Sequence, residues 1–277
     1  MPKLAFTKMQ GLGNDFVVFD GIRQKVTLDA DRCRFLADRR FGIGCDQILL
    51  VEPPRTKTTA FYYRIFNRDG SEVEQCGNGA RCFARFVYEQ GLTREREIPV
   101  GTASGEIRLF LEGEDRVRVN MGQPRFTPAE IPFLADREAP QYALAVGEQS
   151  VQIGAVSLGN PHAVLLVENA DRAPVVQLGP AIEQHPRFPQ RVNVGFMEIL
   201  DANHIRLRVF ERGAGETLAC GTGACAAVAV GRRLGRLNDR VQVQLPGGSL
   251  EIQWSGGDAP IWMTGPAVRV YEGEIEL

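Results

Sequence analysis

The chain contains two similar turns that each place a cysteine directly before a Gly-x-Gly-Ala sequence: "EQCGNGARC" around Cys76 and "LACGTGAC" around Cys220. The first backbone N–H groups of a helix have no partner within the helix, and the helix N-terminus carries a partial positive charge. A carboxylate or phosphate can bind there, and the thiolate form of a cysteine is stabilised. We therefore expect each turn to combine an anion-binding site with a sulfur of lowered pKa.

The occurrence of two such turns suggests a specific reaction. Duplicated domains commonly face each other, and ligands commonly bind at domain interfaces, so Cys76 and Cys220 would approach one bound molecule from opposite sides. One thiolate could then remove a proton from a carbon while the other thiol returns a proton on the far face. A carboxylate held by helix N-termini would stabilise the charge that develops. This chemistry is racemisation or epimerisation at the α-carbon of an amino acid.

Other interpretations of the cysteines remain open at this point. Either turn alone could be a tight glycine turn with a buried thiol, and the pair could belong to a redox switch or a metal-binding module. Spacings of six residues from Cys76 to Cys82 and five from Cys220 to Cys225 do not match structural zinc sites. We expect the remaining cysteines to be buried thiols: Cys33, Cys45, Cys82 and Cys225.

The elements around the turns also occur twice. When the sequence is aligned with itself at an offset of 144, residues 64–91 match residues 208–235 at nine of 28 positions without a gap. At an offset of 146, "GLGNDFVV" (11–18) resembles "SLGNPHAV" (157–164). Two matches in the same order indicate two halves of similar design. The nine identical pairs are Arg64/Arg208, Phe66/Phe210, Arg68/Arg212, Glu72/Glu216, Cys76/Cys220, Gly77/Gly221, Gly79/Gly223, Ala80/Ala224 and Gly91/Gly235.

The sequence of each half predicts strands, followed by the cysteine turn, one helix and further strands. Strands are expected at 17–20, 61–66, 163–167 and 205–210, and helices at 79–90 and 223–234, each ending at a glycine. The stretch "ACAAVAV" is apolar on every face, which is typical of a helix that is buried all round. We predict an α+β fold of two pseudo-symmetric domains, each a curled, barrel-like mixed or antiparallel sheet around a central helix.

The expected domains are residues 1–120, completed by a C-terminal strand at 266–277, and residues 121–265. The Pro-rich stretch 124–140 is expected to connect them. The recurrence of Glu72 as Glu216 predicts a structural task in the turn.

Composition excludes several functional classes. A net charge of −2 gives no basic field for nucleic acid or an anionic membrane. We find no secretory signal and no membrane-spanning run, so the cytoplasm is the expected compartment. There is no complete dinucleotide or P-loop fingerprint, and none of the four lysines lies in the repeated turn, so we expect no cofactor and no metal.

Six segments, taken in order, are similar to the diaminopimelate epimerase family of bacterial lysine and peptidoglycan biosynthesis. They are "KMQGLGNDFVVFD", "FGIGCDQIL", "FNRDGSEVEQCGNGARC", "LGNPHAV", "RVNVGF" and "VFERGAGETLACGTGA". The resemblance implies cofactor-independent interconversion of LL- and meso-diaminopimelate by Cys76 and Cys220. It also implies a homodimer of two-domain subunits, each domain a curled sheet around a central helix.

The resemblance also implies roles for individual residues. Gly77, Asn78, Gly221 and Thr222 would hold the reacting carboxylate, and Glu211 the reacting ammonium. Arg212 would bind the distal amino-carboxylate end with Asn67, Asn160 and Asn193, while Asn14 and Gln47 complete the pocket. His162 and Glu211 would modulate the thiols, and Tyr271 would contact a second subunit. Thr222 stands where many members of the family carry serine.

The nearest alternative is another thiol-pair isomerase, such as a proline or hydroxyproline racemase. Arg212 and the asparagines favour a substrate with a second charged end, because such an end needs a bidentate partner. The pair Asn67 and Glu211 occupies equivalent positions with different chemistry, so the site is expected to be asymmetric.

Overall fold

The computed structural model describes residues 3–73 and 76–276 and divides the chain into two compact units. Unit 1 is Met1–Asn120 with Thr264–Leu277, and unit 2 is Met121–Met263. None of the helices in these described residues is long and apolar enough to cross a membrane.

Unit 1 is a mixed sheet around one helix. Its elements are β1 (Lys3–Gly11), β2 (Asn14–Asp20), α1 (Ala30–Ala37), β3 (Gln47–Glu52), β4 (Phe61–Asn67), β5 (Glu72–Val73), α2 (Gly77–Glu89), β6 (Glu97–Thr102), β7 (Gly105–Glu112), β8 (Arg116–Asn120) and β18 (Val268–Glu276). The strand order from the hydrogen-bonded pairs is β18-β1-β2-β3-β4-β6-β7-β8, with β2–β3 and β4–β6 parallel and the other pairs antiparallel. The helix α2 packs against strands from across this order, including β18, β1, β3, β7 and β8, so the sheet curls around it.

Unit 2 repeats this topology. Its order is β9-β10-β11-β12-β13-β15-β16, with β11–β12 and β13–β15 parallel, and α4 packs against β10 to β13 and β16. The elements are a 3₁₀ turn (Pro128–Glu130), β9 (Tyr142–Val146), β10 (Gln149–Ser157), β11 (Pro161–Leu166), α3 (Val175–Glu183), β12 (Asn193–Asp201), β13 (His204–Glu211), β14 (Gly215–Thr217), α4 (Gly221–Arg233), β15 (Arg240–Leu245) and β16 (Gly248–Gln253). Strand β17 (Trp262–Pro266) contains the boundary between the units. The predicted α+β fold, with curled mixed sheets around central helices, is confirmed.

The central helices form where the sequence predicted them. Helix α4 is buried from Gly223 to Gly231, as its apolar sequence requires. Both helices end in the same way. Gly91 and Gly235 adopt φ of +66° and +68°, and the residue after each glycine donates its N–H to a carbonyl of the last turn. This is the left-handed helix terminus that favours glycine.

The outer face of each sheet is also covered, by a short helix that the sequence analysis missed. In unit 1, α1 covers an apolar layer that includes Val17, Phe19 and Leu36. In unit 2, α3 packs on β12 and β13. Helix α1 has only eight residues and α3 has nine, with Pro180 inside it, so neither gives a sustained amphipathic pattern in the sequence.

The Pro-rich stretch 124–140 is not a connector. It lies wholly within unit 2, and Ile131 and Phe133, which are 0% and 3% exposed, belong to the apolar core under α3. Phe133 stacks on Phe188 with ring centroids 4.6 Å apart. Proline disfavours regular elements without preventing burial, which is why the sequence pattern was misleading here.

Glu72 and Glu216 perform the structural task that their recurrence predicted. Glu72 accepts two hydrogen bonds of 2.8 Å from Arg64, and Glu216 accepts bonds of 2.6 and 3.0 Å from Arg208. Each bidentate pair joins a long strand to the short strand that leads toward the cysteine turn.

Candidate active site

Cys76 and Cys220 occupy the same structural position in the two units. Each is the N-cap residue of the central helix, with extended backbone angles. The first helical turns are Gly-Asn-Gly-Ala and Gly-Thr-Gly-Ala, which add no side-chain charge to the helix terminus. The backbone N–H groups of Gly77, Asn78, Gly221 and Thr222 therefore lie in the positive end of a helix dipole.

The third residue after each cysteine, Gly79 or Gly223, is a glycine because no room is left there for a side chain. A Cβ added to Gly79 would lie 2.5 Å from the hydroxyl oxygen of Tyr63. A Cβ added to Gly223 would lie 3.0 Å from a methyl group of Val209 and 3.2 Å from the sulfur of Cys220. Glycine at these positions lets the helix start pack directly on the strands below.

In unit 1, polar side chains cluster around Cys76. Its sulfur lies 3.9 Å from Oδ1 of Asn14, and that oxygen also accepts a 3.2 Å hydrogen bond from Nδ2 of Asn78. Gln47 donates to Oδ1 of Asn67 at 3.0 Å, between paired positions of β3 and β4. Asn14 and Gln47 begin the parallel strands β2 and β3, and Asn67 ends β4, so strand pairing brings these three predicted site residues to one end of the sheet.

The hairpin from β1 to β2 places Asn14. Leu12 and Gly13 have φ of +59° and +82°, and Gly11 pairs with Asn14. Positive φ at both central residues is the geometry of a two-residue type I′ turn. Asn14 is thus fixed as the first residue of a buried strand.

In unit 2, a second cluster surrounds Cys220. The Thr222 hydroxyl lies 3.6 Å from the Cys220 sulfur, and Gly223 donates its N–H to that sulfur at 3.4 Å. Asn160 donates to the Thr222 hydroxyl at 3.4 Å, and its Oδ1 lies 3.0 Å from Nε2 of His162. The Glu211 carboxylate accepts from the hydroxyl of Thr217 and is hydrogen-bonded to the Cys220 thiol.

Asn193 and Arg212 extend this second cluster. The Asn193 side chain accepts the backbone N–H of Arg212 at 3.0 Å and donates to the carbonyl of Pro161 at 3.0 Å. The Arg212 guanidinium donates to the carbonyl of Gln190 at 3.0 Å. Asn193 is buried and holds the backbone at Arg212, next to Glu211.

The residues of the two clusters are equivalent positions of the duplication. Phe16 pairs with Gln47 in unit 1 as His162 pairs with Asn193 in unit 2. At the two sequence offsets, the further equivalent pairs are Asn14/Asn160, Asn67/Glu211, Asn78/Thr222 and Cys76/Cys220. The same architecture therefore carries amides in unit 1 and a carboxylate, a hydroxyl and a histidine in unit 2.

The ionisation of the thiol in unit 2 differs from the expectation. Burial raises the pKa of Cys220 well above its usual range, and the neighbouring Glu211 carboxyl raises it further. Hydrogen bonds from the hydroxyl of Thr222 and the N–H of Gly223 lower the pKa of Cys220, but by less than burial raises it. In this state Cys220 is a thiol, because desolvation outweighs the helix terminus.

The neighbours of Cys220 are shifted as well. Burial raises the pKa of Glu211, although its hydrogen bonds from Thr217 and Cys220 favour the carboxylate. Burial and the positive charge of Arg212 lower the pKa of His162 to about 3, so its ring is neutral near pH 7. A buried thiol next to a buried carboxyl is an arrangement suited to proton transfer.

Two residues were missed by the sequence analysis: Tyr63, which lies close to Cys76, and Asp46, which contacts Asn14. Tyr63 is 2% exposed, and its hydroxyl has no hydrogen-bond partner within residues 3–73 and 76–276. Asp46 accepts a 3.0 Å hydrogen bond from Nδ2 of Asn14. Tyr63 lies 13 residues and Asp46 lies 30 residues before Cys76, so the sequence around the turn did not mark either one.

Comparison with known proteins establishes the family. A family model described as diaminopimelate epimerase matches residues 6–127 and 154–270. A diaminopimelate epimerase from Chromobacterium violaceum is 60% identical over 275 residues, covering 99% of this chain and 100% of the relative. One from Nitrosomonas europaea is 59% identical over 275 residues, with the same coverage. The chain belongs to the diaminopimelate epimerase family. It is an enzyme of the isomerase class.

Solved structures with low sequence identity share the fold of this diaminopimelate epimerase family member. A hydroxyproline epimerase from Agrobacterium vitis superimposes with a TM-score of 0.68 at 18% identity, covering 99% of this chain and 92% of that chain. A phenazine biosynthesis protein of the PhzF family from Bacillus anthracis gives a TM-score of 0.67 at 17% identity, covering 100% of both chains. These likenesses concern the architecture alone.

Three further features bear on the remaining predictions. Tyr271, on β18, is 45% exposed and packs edge-on against Phe6 with centroids 6.0 Å apart. Cys33, Cys45, Cys82 and Cys225 are buried, as predicted. Within residues 3–73 and 76–276, no group of three His, Cys, Asp or Glu side chains is arranged to hold a metal ion.

Proposed function

We propose that this protein interconverts LL- and meso-diaminopimelate without a cofactor, using Cys76 and Cys220 as the acid and base. The observation that carries the proposal is the matched pair of cysteines, each the N-cap of a central helix, in a chain of this family. One thiolate takes the α-proton and becomes a thiol, while the other thiol gives its proton to the opposite face and becomes a thiolate. One C–H bond breaks and one forms, so the net change is inversion.

The two helix N-termini support the binding of the reacting carboxylate. The N–H groups of Gly77, Asn78, Gly221 and Thr222 are the donors that the proposal assigns to it. Removal of the α-proton moves negative charge onto the carboxylate oxygens. Donors that are already in place stabilise this charge without reorganisation, so the α-proton becomes more acidic.

Glu211 has two tasks in the proposal. In the free enzyme it is hydrogen-bonded to the Cys220 thiol, which gives the thiol proton an acceptor. With substrate present, Glu211 binds the reacting ammonium. His162, buried and neutral, modulates the thiols through Asn160, to which it is hydrogen-bonded.

The distal end of the substrate is assigned to Arg212, Asn67, Asn160 and Asn193, with Asn14 and Gln47 completing the pocket. An arginine fork matches a carboxylate in a bidentate manner. The difference between Asn67 and Glu211 supports an asymmetric substrate, because equivalent positions offer an amide in one unit and a carboxylate in the other. A cyclic imino acid would leave Arg212 without its partner.

The test is exchange of the α-proton in D₂O, measured by NMR for diaminopimelate, proline and glutamate. We expect exchange and epimerisation with diaminopimelate alone. Exchange with proline in preference would establish the imino acid racemase alternative instead.

Cys76→Ala and Cys220→Ala should each abolish epimerisation while unfolding like the wild type, and full turnover by either variant would exclude the two-thiol mechanism. Metal bound in stoichiometric amount to the isolated protein, without turnover, would favour the metal-binding alternative. A disulfide that forms and breaks reversibly, without turnover, would favour the redox switch.

The assembly and location follow as parts of the same proposal. The cytoplasm and a role in lysine and peptidoglycan biosynthesis are supported by membership of the family. A homodimer with Tyr271 in its contact is supported by the exposure of this large side chain. Sedimentation of the wild type and Tyr271→Ala tests the contact. A wild-type monomer, or an unchanged Tyr271→Ala dimer, would refute it.

A further inference from the structure

The amide of Asn14 is held in one orientation by Asp46. Nδ2 of Asn14 lies 3.0 Å from Oδ2 of Asp46. A carboxylate accepts hydrogen bonds and donates none, so the atom of the amide that faces it is the NH₂ group. The carbonyl oxygen of Asn14 must then point the other way, toward Asn78 and the Cys76 sulfur.

Asp46 is itself fixed in place. Its Oδ1 is paired with Arg39 at 3.0 Å, and its Oδ2 also accepts the N–H of Asp15 at 3.2 Å. Asp15 in turn binds Arg39 and the buried Lys8 at 2.8 and 2.7 Å. These charges lower the pKa of Asp15 to about 2, and the carboxyl groups of Asp15 and Asp46 both contact the Arg39 guanidinium.

Unit 2 lacks this arrangement at the equivalent positions. Val192, which is fully buried, stands in place of Asp46. His162 holds the Oδ1 of Asn160, and the Asn160 NH₂ group faces Thr222, whose hydroxyl adjoins the Cys220 sulfur. The equivalent asparagine amides thus point in opposite directions, with a carbonyl toward Cys76 in unit 1 and an NH₂ toward the Thr222–Cys220 pair in unit 2.

We propose that Asp46 is a positioning residue that keeps the Asn14 carbonyl turned toward Cys76 and thereby holds this sulfur as a hydrogen-bond donor. A carbonyl oxygen accepts from a thiol and repels a thiolate, so this orientation favours the protonated sulfur. The titratable neighbours of Cys76 include Tyr63 and Cys82. Burial raises the pKa of Tyr63 well above its usual range and that of Cys82 to about 12, so both are neutral near pH 7.

The positioning role of Asp46 affects catalysis only if the enzyme uses two thiols, so this consequence rests on the proposed function. Such an enzyme needs one thiol and one thiolate at the start of each turnover, so one of the two protonated sulfurs must first lose its proton. Holding Cys76 as the thiol leaves Cys220, whose proton has an acceptor in Glu211, to become the thiolate. Opposite amide orientations give the two sulfurs different hydrogen-bond surroundings within nearly the same backbone. Asp46 contacts neither sulfur, so it acts through Asn14.

The main experiment measures Cys76 without using a substrate. Wild type, Asp46→Leu and Asp46→Asn are treated with iodoacetamide at pH 7.5, and the rate of alkylation is followed on the Cys76 peptide by mass spectrometry. In Asp46→Leu the Asn14 amide is free to turn its NH₂ toward the sulfur, and we expect alkylation about tenfold faster, the effect of one charge-favouring hydrogen bond. Asp46→Asn keeps an acceptor and should stay closer to the wild type.

Two controls separate positioning from loss of structure. Asp38 lies in the same loop, where its carboxylate accepts the N–H groups of Arg40 and Phe41. Asp38→Ala therefore loosens the loop without touching Asn14 and should leave the Cys76 rate unchanged. In an Asn14→Ala background, Asp46→Leu should have no further effect, because the amide through which Asp46 acts is gone.

The outcomes distinguish the inference from the proposed function. An unchanged rate in both Asp46 variants, an equal acceleration in Asp38→Ala, or a full effect of Asp46→Leu in the Asn14→Ala background would each overturn the positioning role. Turnover of diaminopimelate is measured separately, and we expect Asp46→Leu to lower kcat by about tenfold with little change in KM. A wild type that does not epimerise diaminopimelate refutes the function and leaves the alkylation result to decide the role of Asp46.

Discussion

At the scale of single residues, the contrast between the two cysteine environments is the main result. Cys220 is buried beside the carboxyl group of Glu211, whereas Cys76 is partly exposed and its sulfur lies 3.9 Å from the amide oxygen of Asn14. Two nearly identical turns therefore provide the same backbone donors but different surroundings for the thiol proton. The difference comes from residues that are distant in the chain and that folding brings together. Asn14 lies 62 positions before Cys76, and Asn160 and Glu211 lie 60 and nine positions before Cys220.

Arg212 gives the first prediction at this scale. Lysine resembles diaminopimelate but lacks the distal carboxylate, so a site built for that carboxylate would leave its polar groups unpaired. We expect kcat/KM for lysine to be lower by roughly 10⁴-fold or more. Arg212→Lys should lose most activity, because an ammonium does not reproduce the planar fork. Comparable kcat/KM values for the two substrates in the wild type would refute the assignment of Arg212 to the distal end.

Gly79 gives the second prediction. Alanine is normally better than glycine inside a helix by about 1 kcal/mol. Here the added Cβ would lie 2.5 Å from the Tyr63 hydroxyl, so Gly79→Ala should instead destabilise the protein by about 1–3 kcal/mol. Tyr63→Phe removes the oxygen and should recover part of the loss, as measured by urea unfolding of the single and double variants. A Gly79→Ala variant more stable than the wild type would contradict this packing.

At the scale of elements, helices and strands recur in the two units with nearly constant offsets. The central helices both span 13 residues, begin directly after a cysteine and end before a left-handed glycine. The arginine–glutamate pair recurs beside both turns. The elements that carry the cysteines are thus repeated closely, while the variation is concentrated in the side chains around the sulfurs.

The stretch 124–140 provides a prediction for an element. Phe133 is 3% exposed while its neighbour Leu134 is 60% exposed. We expect Phe133→Ala to lower the free energy of unfolding by about 3–5 kcal/mol and Leu134→Ala to change it by less than about 0.5 kcal/mol. Chemical denaturation of both variants checks the pair. Similar small effects would show that the stretch behaves as the connector that its proline content first indicated.

At the scale of the whole molecule, buried thiols connect stability with pH. Burial raises the pKa of Cys33 to about 11 and those of Cys45 and Cys82 to about 12. An unfolded thiol ionises near pH ~8.5, so between that pH and the raised values the folded protein holds more protons than the unfolded chain. Stability is therefore complete below pH ~8.5 and falls as the pH rises toward the folded values.

The corresponding experiment compares unfolding free energies in reductant at pH 7.5, 9 and 10. We expect a decline of up to about 1.4 kcal/mol per pH unit for each buried thiol in this window. Cys45→Ala should start less stable, because it leaves a cavity, but should decline less steeply. A slope that is the same in Cys45→Ala and wild type would show that Cys45 does not stay protonated in the folded state.

The sequence by itself determined the features that depend on local pattern. The Cys-Gly-x-Gly turns, the two helices that follow them and their terminal glycines are contiguous signals, and the repeat at 144 residues made the two-half design visible. The family signatures are likewise contiguous. Most of the candidate site residues could therefore be named from the sequence, since each lies within such a segment.

Only the tertiary structure decided how those residues are surrounded. The hydrogen bond from Asn14 to Asp46 spans 32 residues and depends on the parallel register of β2 and β3. A position at a helix N-terminus by itself lowers the pKa of a cysteine, but burial raises the pKa of Cys220 instead. Desolvation and long-range hydrogen bonds are properties of the packed chain, so no short stretch of sequence carries them.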